Sequence, residues 1–291
     1  MPELPEVEVV RAGLAPAVTG ALITAVDVRD LRILRRNLYP ESFHRTIAES
    51  VLSRPQRRGK FLWMPWGGTP GSLVVHLGMS GQLLLRTPDE PLSRHTRVAL
   101  HLLSPEHGEL RLDFADQRIF GWMAVGRDTP ATDAPDQLLP HFVVGIARDP
   151  LDPLFDDDRF LAALRRRRSG IKRALLDQSL ISGIGNIYAD EALWAARLHY
   201  DHPADRLGEG QAAELLEELR AVLLKALAEG GTSFDSQYLN VNGQAGYFAH
   251  SLNAYGRQGR PCPRCGTPIV RESFMNRGSH LCPSCQRLPE P

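Results

Sequence analysis

Two sets of residues in this 291-residue chain have the types and spacing that chemistry needs. The first is Cys262, Cys265, Cys282 and Cys285, spaced C-x2-C-x16-C-x2-C. Each C-x-x-C turn offers two thiolates, and the two pairs complete a tetrahedron around zinc. Four thiolates leave no open position for water, so one structural zinc per chain is expected rather than a catalytic one. Two disulfides are the alternative, which a reducing cytoplasm opposes. The hairpin between the pairs carries Arg271, Asn276 and Arg277 and is too small to hold itself without metal. The second set is the opening, Met1-Pro2-Glu3-Leu4-Pro5-Glu6-Val7-Glu8. Removal of the initiator methionine before a small residue frees a secondary amine at Pro2. An α-amino group titrates at about 8, so a useful fraction is neutral and nucleophilic at neutral pH. A secondary amine attacking a sugar anomeric carbon gives an iminium, an electron sink that eases later β-elimination. Glu3 and Glu6 lie close enough to act as proton donor and positioning group. By themselves these residues also fit an ordinary chain start.

Composition restricts the classes of function. The length favours two domains, and 43% hydrophobic with 23% charged residues is ordinary for a protein with real cores. No apolar run is long enough for a membrane span, and the opening lacks the basic start and apolar stretch of a signal peptide. A cytoplasmic protein is expected. Thirty-four basic residues balance thirty-four acidic ones, but they are segregated. Arg54 to Lys60 holds four basic residues and no acid; Arg159 to Arg173 holds seven and no acid. Asp128 to Asp158 carries eight aspartates against one arginine. Segregation fits a one-faced anion-binding surface, although charge runs alone are equally the mark of solvated faces.

These residues must be held by elements that the periodicity outlines. Residues 5 to 15 read as a short helix with Pro5 in the first turn and Val7, Val10 and Leu14 on one face. Leu22–Val28, Lys60–Pro65, Ser72–His76 and Val98–Leu103 read as strands between Gly and Pro punctuation. Thr129–Pro140, with three prolines, reads as a linker. Helices follow: Asp156–Arg168, Lys172–Ile181, and one capped by Asn186 with Ala189, Ala192, Leu193 and Ala196 on one face. The clearest is Gln211–Glu229, with Leu215, Leu219, Val222 and Leu227 on one face and Gly230–Gly231 stopping it. The division expected is a β-rich domain over 1–130, a linker over 131–150, a helical domain over 151–254 and a cysteine module over 255–291.

Six motifs in order resemble one family. They are Pro2–Glu8, Arg57-Arg58-Gly59-Lys60, His76–Gly81, Asp116-Gln117-Arg118-Ile119-Phe120-Gly121, Gly183–Ala189 and Gly243–Phe248, followed by the four-cysteine hairpin. Together they span almost the whole chain and are similar to the bacterial formamidopyrimidine-DNA glycosylases, which remove 8-oxoguanine and ring-opened purines. The resemblance implies an α+β fold: an N-terminal β-sandwich with flanking helices, joined to a helix–two-turn–helix domain with a zinc-finger hairpin. Duplex DNA carrying an oxidised base or abasic site would lie in the cleft between them, bound by a monomer working on the bacterial nucleoid. It implies a glycosylase and abasic-site lyase acting through a Pro2 Schiff base, with Glu3 as acid and Glu6 supporting the site. Lys60 donates a proton in β-elimination and Arg277 takes the corresponding part in δ-elimination. Similarity further assigns DNA contacts to His76, His95, Arg118, Arg167, Lys172 and Asn186. Met79, Arg118 and Phe120 would fill the gap left by the extruded nucleotide, where an unstacked hole favours apolar wedges. Each of these residues alone has an ordinary core, surface or helix-cap reading.

Two departures from the pattern stand out. The family often has Asp-Pro-Arg-Arg-Phe-Gly where this chain has Asp116–Gly121, so no role passes to Gln117 or Ile119. Residues 232 to 247 occupy the place of the lesion-covering loop, and their sequence does not name a preferred base. An endonuclease VIII-type enzyme for oxidised pyrimidines is the nearest rival; Leu4 and the His76–Gly81 motif favour the purine enzyme. A catalytically inactive lesion-binding protein would need none of Pro2, Glu3 and Lys60, and an RNA-binding zinc ribbon explains only the tail.

Overall fold

The opening helix forms because Glu6, three residues after the N-cap Glu3, reaches back to the Glu3 N–H at 2.8 Å. In this computed structural model, which describes residues 2–67, 70–232, 241 and 246–289, that helix is α1 (Leu4–Val18). Pro5 sits in its first turn, and Val7, Val10 and Leu14 are buried as the spacing predicts. The strands that follow are β1 (Leu22–Val28), β2 (Gln56–Arg58), β3 (Phe61–Pro65) and β4 (Ser72–His76). After them come β5 (Gly81–Arg86), β6 (Thr96–Ser104), β7 (Gly108–Asp116) and β8 (Trp122–Gly126). A short helix, α2 (Phe43–Ile47), lies between β1 and β2.

These strands make two four-stranded antiparallel sheets, ordered β1-β6-β7-β5 and β2-β3-β4-β8. Leu62, Met64, Leu73, Val75 and Met123 of the second sheet share one apolar core with Ile23, Leu83, Leu100, Leu112 and Phe114 of the first, and α1 joins it through Val7, Val10 and Leu14. Each fully buried side chain of this kind contributes about 1.5–3 kcal/mol, so this core is a main hold on α1 against the sandwich.

Thr129–Pro140 is not a linker. It contains β9 (Asp128–Pro130) paired antiparallel with β10 (Leu138–Pro140), and Pro130 and Pro140 stand at strand ends, where a missing N–H is tolerated. Asp133 is ion-paired with the buried Arg58, and Asp128 accepts from Ser72 Oγ at 2.7 Å, so the acidic stretch is partly consumed by the sandwich. Two compact units result instead of the expected division. One is Met1–Gly145 with Gly230–Gly246; the other is Ile146–Glu229 with Tyr247–Pro291, so the cysteine tail belongs to the helical unit.

The helical unit contains α3 (Asp157–Leu164), α4 (Ile171–Leu175), α5 (Asn186–Ala195) and α6 (Glu209–Ala228). Asp156 caps α3 by accepting the Arg159 N–H at 2.9 Å. The helix expected over Lys172–Ile181 stops at Leu175, and Gln178 takes over the turn by donating to the Leu176 and Ile184 carbonyls and accepting the Gly183 N–H. Gly185, not Asn186, is the N-cap of α5. The buried stripe of α6 is Ala212, Leu215, Leu216, Leu219, Leu223 and Ala226, rotated from the expected face so that Val222 and Leu227 are only half-buried. The tail forms a hairpin of β11 (Val270–Phe274) and β12 (Arg277–Leu281). Its two-residue turn, Met275–Asn276, has both residues at positive φ (44° and 60°), the type I′ geometry that matches strand twist.

Candidate active site

In the β unit, chemistry gathers at the start of α1. Glu3 and Glu6 are each 1% exposed, and Pro2 is buried beside them. Glu6 is fully committed: one oxygen accepts the Glu3 N–H, and the other accepts the Thr232 N–H and hydroxyl, each at 2.8 Å. The approach is close. Gly231 has φ +82°, and a Cβ there would stand 3.1 Å from the Glu6 carboxylate, so glycine is required on both grounds. Glu6 thus ties the Glu3 main chain to Thr232.

Lys60 sits on the two-residue turn joining β2 to β3, where Gly59 at φ 57° supplies the left-handed residue. Arg57 donates to the Gly59 carbonyl at 3.1 Å and to Glu8 of α1 at 2.8 Å, while Arg11 makes a second contact to Glu8. Burial pushes Glu8 up, but the hydrogen bonds and charges of Arg11 and Arg57 together outweigh it and hold the carboxyl below its usual range. The turn bearing Lys60 is therefore tied to the helix that Pro2 and Glu3 lead into.

His76 pairs with Phe61 across β3 and β4, and its ring packs 5.0 Å from Phe61 and 5.9 Å from Trp122. Burial, helped by the charges of Lys60, Arg35 and Arg36, pushes His76 down to about 4. Its Nδ1 accepts the Gly78 N–H at 3.1 Å, so the remaining proton is on Nε2. The ring is a neutral donor with a fixed tautomer.

Met79, Arg118 and Phe120 come from two loops in backbone contact. A Cβ on Gly78 would strike the Phe120–Gly121 peptide, so only glycine lets the Leu77–Gly81 turn lie against the Gln117–Gly121 loop. Met79 and Phe120 are each 41% exposed, and the Arg118 guanidinium stands 4.4 Å over the Phe120 ring. Asp116, fully buried, organises the second loop: it accepts the N–H groups of Arg118, Ile119 and Gly121 and the Ser80 hydroxyl. Ile119 holds φ +56°, an unfavourable conformation for a β-branched residue. His95 joins through its main chain, whose carbonyl accepts the Asp116 N–H at 2.9 Å, while its ring accepts from Arg94.

In the helical unit, Arg167 is exposed and paired with Asp177 at 3.0 Å. Arg277 is exposed at the hairpin turn. Asn186, half-buried at the first position of α5, donates to the Gly278 carbonyl of β12. Lys172 departs from the expected DNA contact. It is 0% exposed, with Nζ donating to Asp190 at 2.6 Å and to Ser279 at 3.0 Å, and a fully buried ammonium has no access to a phosphate. Asp190 also accepts the His280 N–H and faces its ring, so this cluster joins α4, α5 and β12. The four cysteine sulfurs lie within 4.8 Å of one another, compared with an edge of about 3.8 Å for a tetrahedron with Zn–S bonds of about 2.3 Å. No disulfide joins them. The Trp194 indole N–H donates to Cys262 Sγ at 3.4 Å, the kind of contact that supports a thiolate ligand. These residues fit one structural zinc. Most of residues 232–247, including the Gly243-Gln244-Ala245 part of the last motif, lie outside the described residues.

Sequence reasoning missed the Glu8–Arg57 tie, Arg35, and the Lys172–Asp190–His280 cluster. Asp116 was visible within its motif, but not its work. Only contacts distant in sequence reveal these.

Comparison with known proteins gives one answer along the chain. Residues 1–123 match the formamidopyrimidine-DNA glycosylase N-terminal domain, 146–237 the H2TH domain of the same enzymes, and 259–288 a zinc finger found in FPG and IleRS. A curated relative from Leifsonia xyli subsp. xyli, named formamidopyrimidine-DNA glycosylase, is 62% identical over 99% of this chain and 100% of its own length. One of the same name from Streptomyces coelicolor is 52% identical over 99% of both chains. The crystal structure of MutM (FPG) from Thermus thermophilus superposes with a TM-score of 0.83 at 37% identity, covering 99% of this chain and 100% of its own. A Lactococcus lactis FPG mutant in complex with DNA containing Fapy-dG gives 0.84 at 30% identity, covering 98% and 100%. Among the described residues, no helix is long and apolar enough to cross a membrane.

Proposed function

Because this chain belongs to the formamidopyrimidine-DNA glycosylase family, we infer that it excises oxidised purines from duplex DNA and then cuts the strand at the abasic site. The Pro2 nitrogen, freed by removal of Met1, attacks C1′ of the damaged nucleotide. The C1′–N bond to Pro2 forms and the bond to the base breaks, the base leaving with that electron pair and a proton supplied by Glu3. Pro2 then loses its N–H proton and its lone pair forms an iminium with C1′, while the C1′–O4′ bond breaks and O4′ leaves with that electron pair and takes up a proton, opening the sugar ring. Loss of the C2′ proton then expels the 3′ phosphate, with Lys60 supplying a proton. A second elimination expels the 5′ phosphate with Arg277 in the corresponding place, and water releases Pro2. His76, His95, Arg167 and Asn186 serve as DNA contacts, while Met79, Arg118 and Phe120 fill the vacated stack. Lys172 supports the finger from behind. Duplex DNA as substrate places the work at the nucleoid, in the cytoplasm.

The observation that carries this reading is the Glu6 carboxylate, which ties the Glu3 N–H to Thr232 and so fixes the nucleophile segment in a buried place. A nucleophile held in one geometry converts binding into rate. Borohydride reduction on abasic duplex DNA should crosslink the protein through Pro2, and retaining Met1 should abolish the crosslink. Glu3→Gln should lower base excision by roughly 10²- to 10⁴-fold while still trapping on a preformed abasic site, since the aldehyde needs no leaving-group acid. Attachment at Lys60, or equal loss on both substrates, would overturn the assignment.

A further inference from the structure

The loop bearing Arg118 and Phe120 is gripped from both sides by the protein itself. Asp116 takes the N–H groups of Arg118, Ile119 and Gly121 at 2.7–3.0 Å. The carbonyls are taken by Arg35: Nη1 donates to Gly121 O at 2.7 Å and reaches Ile119 O at 3.5 Å, and Nη2 donates to Phe120 O at 2.9 Å. One guanidinium thereby spans three consecutive carbonyls, which a single ammonium lacks the fork to do.

Arg35 is itself held in place. It follows a short 3-10 turn, Leu31–Leu34, and precedes Asn37, which runs along the outer edge of β8. There the Asn37 amide donates to Met123 O at 3.0 Å and accepts the Val125 N–H at 2.9 Å, pairing with the strand as another strand would. That docking aims Arg35 at the loop immediately before β8. The clamp also accounts for Ile119 at φ +56°, since a loop whose N–H and C=O groups are engaged on both sides can keep a residue in a disfavoured conformation.

We propose that Arg35 is a positioning residue that pre-forms the Arg118–Phe120 wedge before DNA arrives, so that discrimination of the base opposite the lesion depends on it. This rests on the reading of Arg118 and Phe120 as the wedge. Arg118 offers only donors, and the Watson–Crick edge of cytosine presents acceptors N3 and O2, whereas adenine presents N1 beside a donor amino group. A wedge held in one pose favours cytosine; a loose one reads both bases alike. Nη1 and Nη2 of Arg35 donate to the loop carbonyls and to Arg32 O, which accounts for its pose without a phosphate.

The test compares wild type, Arg35→Ala and Arg35→Lys on duplexes with 8-oxoguanine opposite cytosine or adenine, and on single-stranded abasic DNA, where there is no opposite base to read. Wild type should favour cytosine, and both variants should lose about fivefold or more of that ratio. Strand cutting of the single-stranded abasic substrate, the melting temperature and the salt dependence of duplex binding should stay at wild-type values. A salt slope reduced by about one would mark Arg35 as a phosphate contact and overturn the proposal. Parallel loss on the single-stranded substrate would reduce it to a general structural role, and an unchanged ratio in Arg35→Ala would refute the clamp. Full rescue by Arg35→Lys would overturn the fork and leave charge as the cause. Failure of the wild type to excise or to trap would instead sink the family chemistry, and a wild type without cytosine preference would sink the role of Arg118.

Discussion

His76 closes β4 at the end of an apolar run; the neighbouring Gly78 N–H fixes its tautomer, but its loss of charge has causes farther along the chain. That comes from burial between Phe61 and Trp122, and from Lys60 on the adjacent turn with Arg35 and Arg36. The unfolded ring has an ordinary value of 6.5 and the folded one about 4, so between these the unfolded chain binds a proton that the folded chain refuses. Folding stability at this site is therefore whole above 6.5 and falls as pH drops toward 4, by roughly 3 kcal/mol at most. NMR titration of the free protein should show His76 neutral, protonated at Nε2, throughout the range from about 5 to 8 in pH, which brackets an ordinary histidine's midpoint. A midpoint near 6.5 would mean the ring is open to water. Glu3 and Glu6 are both buried acids on one turn, and the three donors to Glu6 tie that turn to Thr232.

At the scale of elements, the helical unit is organised by the charge cluster that the sequence reads as an exposed contact. Lys172 on α4, Asp190 on α5 and Ser279–His280 on β12 form one buried network. It seats the hairpin whose turn displays Arg277. Removing the cation would leave a buried carboxylate uncompensated, so Lys172→Met should cost about 3–5 kcal/mol in denaturant unfolding of this unit. Adding Asp190→Asn, which removes the charge but keeps an oxygen for the His280 N–H, should recover most of that loss. If Lys172→Met is as stable as wild type and only DNA binding suffers, Lys172 reaches the phosphates after all. The pair shows why element reading from sequence has a ceiling. A lysine shortly after an arginine run reads as part of a basic face, whereas its true partners lie 18 and 107 residues away.

For the molecule as a whole, the described residues form a sandwich unit and a helical unit that includes the cysteine hairpin. The apolar cluster at the cysteine end of the hairpin is small among the described residues: Cys262, Ile269 and Cys282, with Trp194 of α5 and Cys285 packed against it. So small a core depends on metal. The purified protein should carry about one zinc per chain. Chelation should shift Trp194 fluorescence and abolish binding to abasic DNA while leaving the unfolding of the sandwich unit unchanged. Full DNA affinity in zinc-free protein would deny the finger its part. What the sequence determined by itself were the features written in local spacing: the C-x2-C pairs, the Pro2-Glu3 opening, the strand and helix periodicities and the ordered motifs. Those depend on residues a few positions apart, where backbone geometry alone decides which side chains meet. Tertiary structure decided the remainder: that residues 129–140 fold as a hairpin held by Arg58, that Lys172 is buried, that Glu6 reaches Thr232, and that Arg35 clamps Phe120. In each case a polar group is satisfied by a partner far along the chain, and for Arg58, Lys172 and Glu6 burial makes that partner obligatory, because a buried charge or hydrogen-bonding group left alone costs more than any local preference supplies.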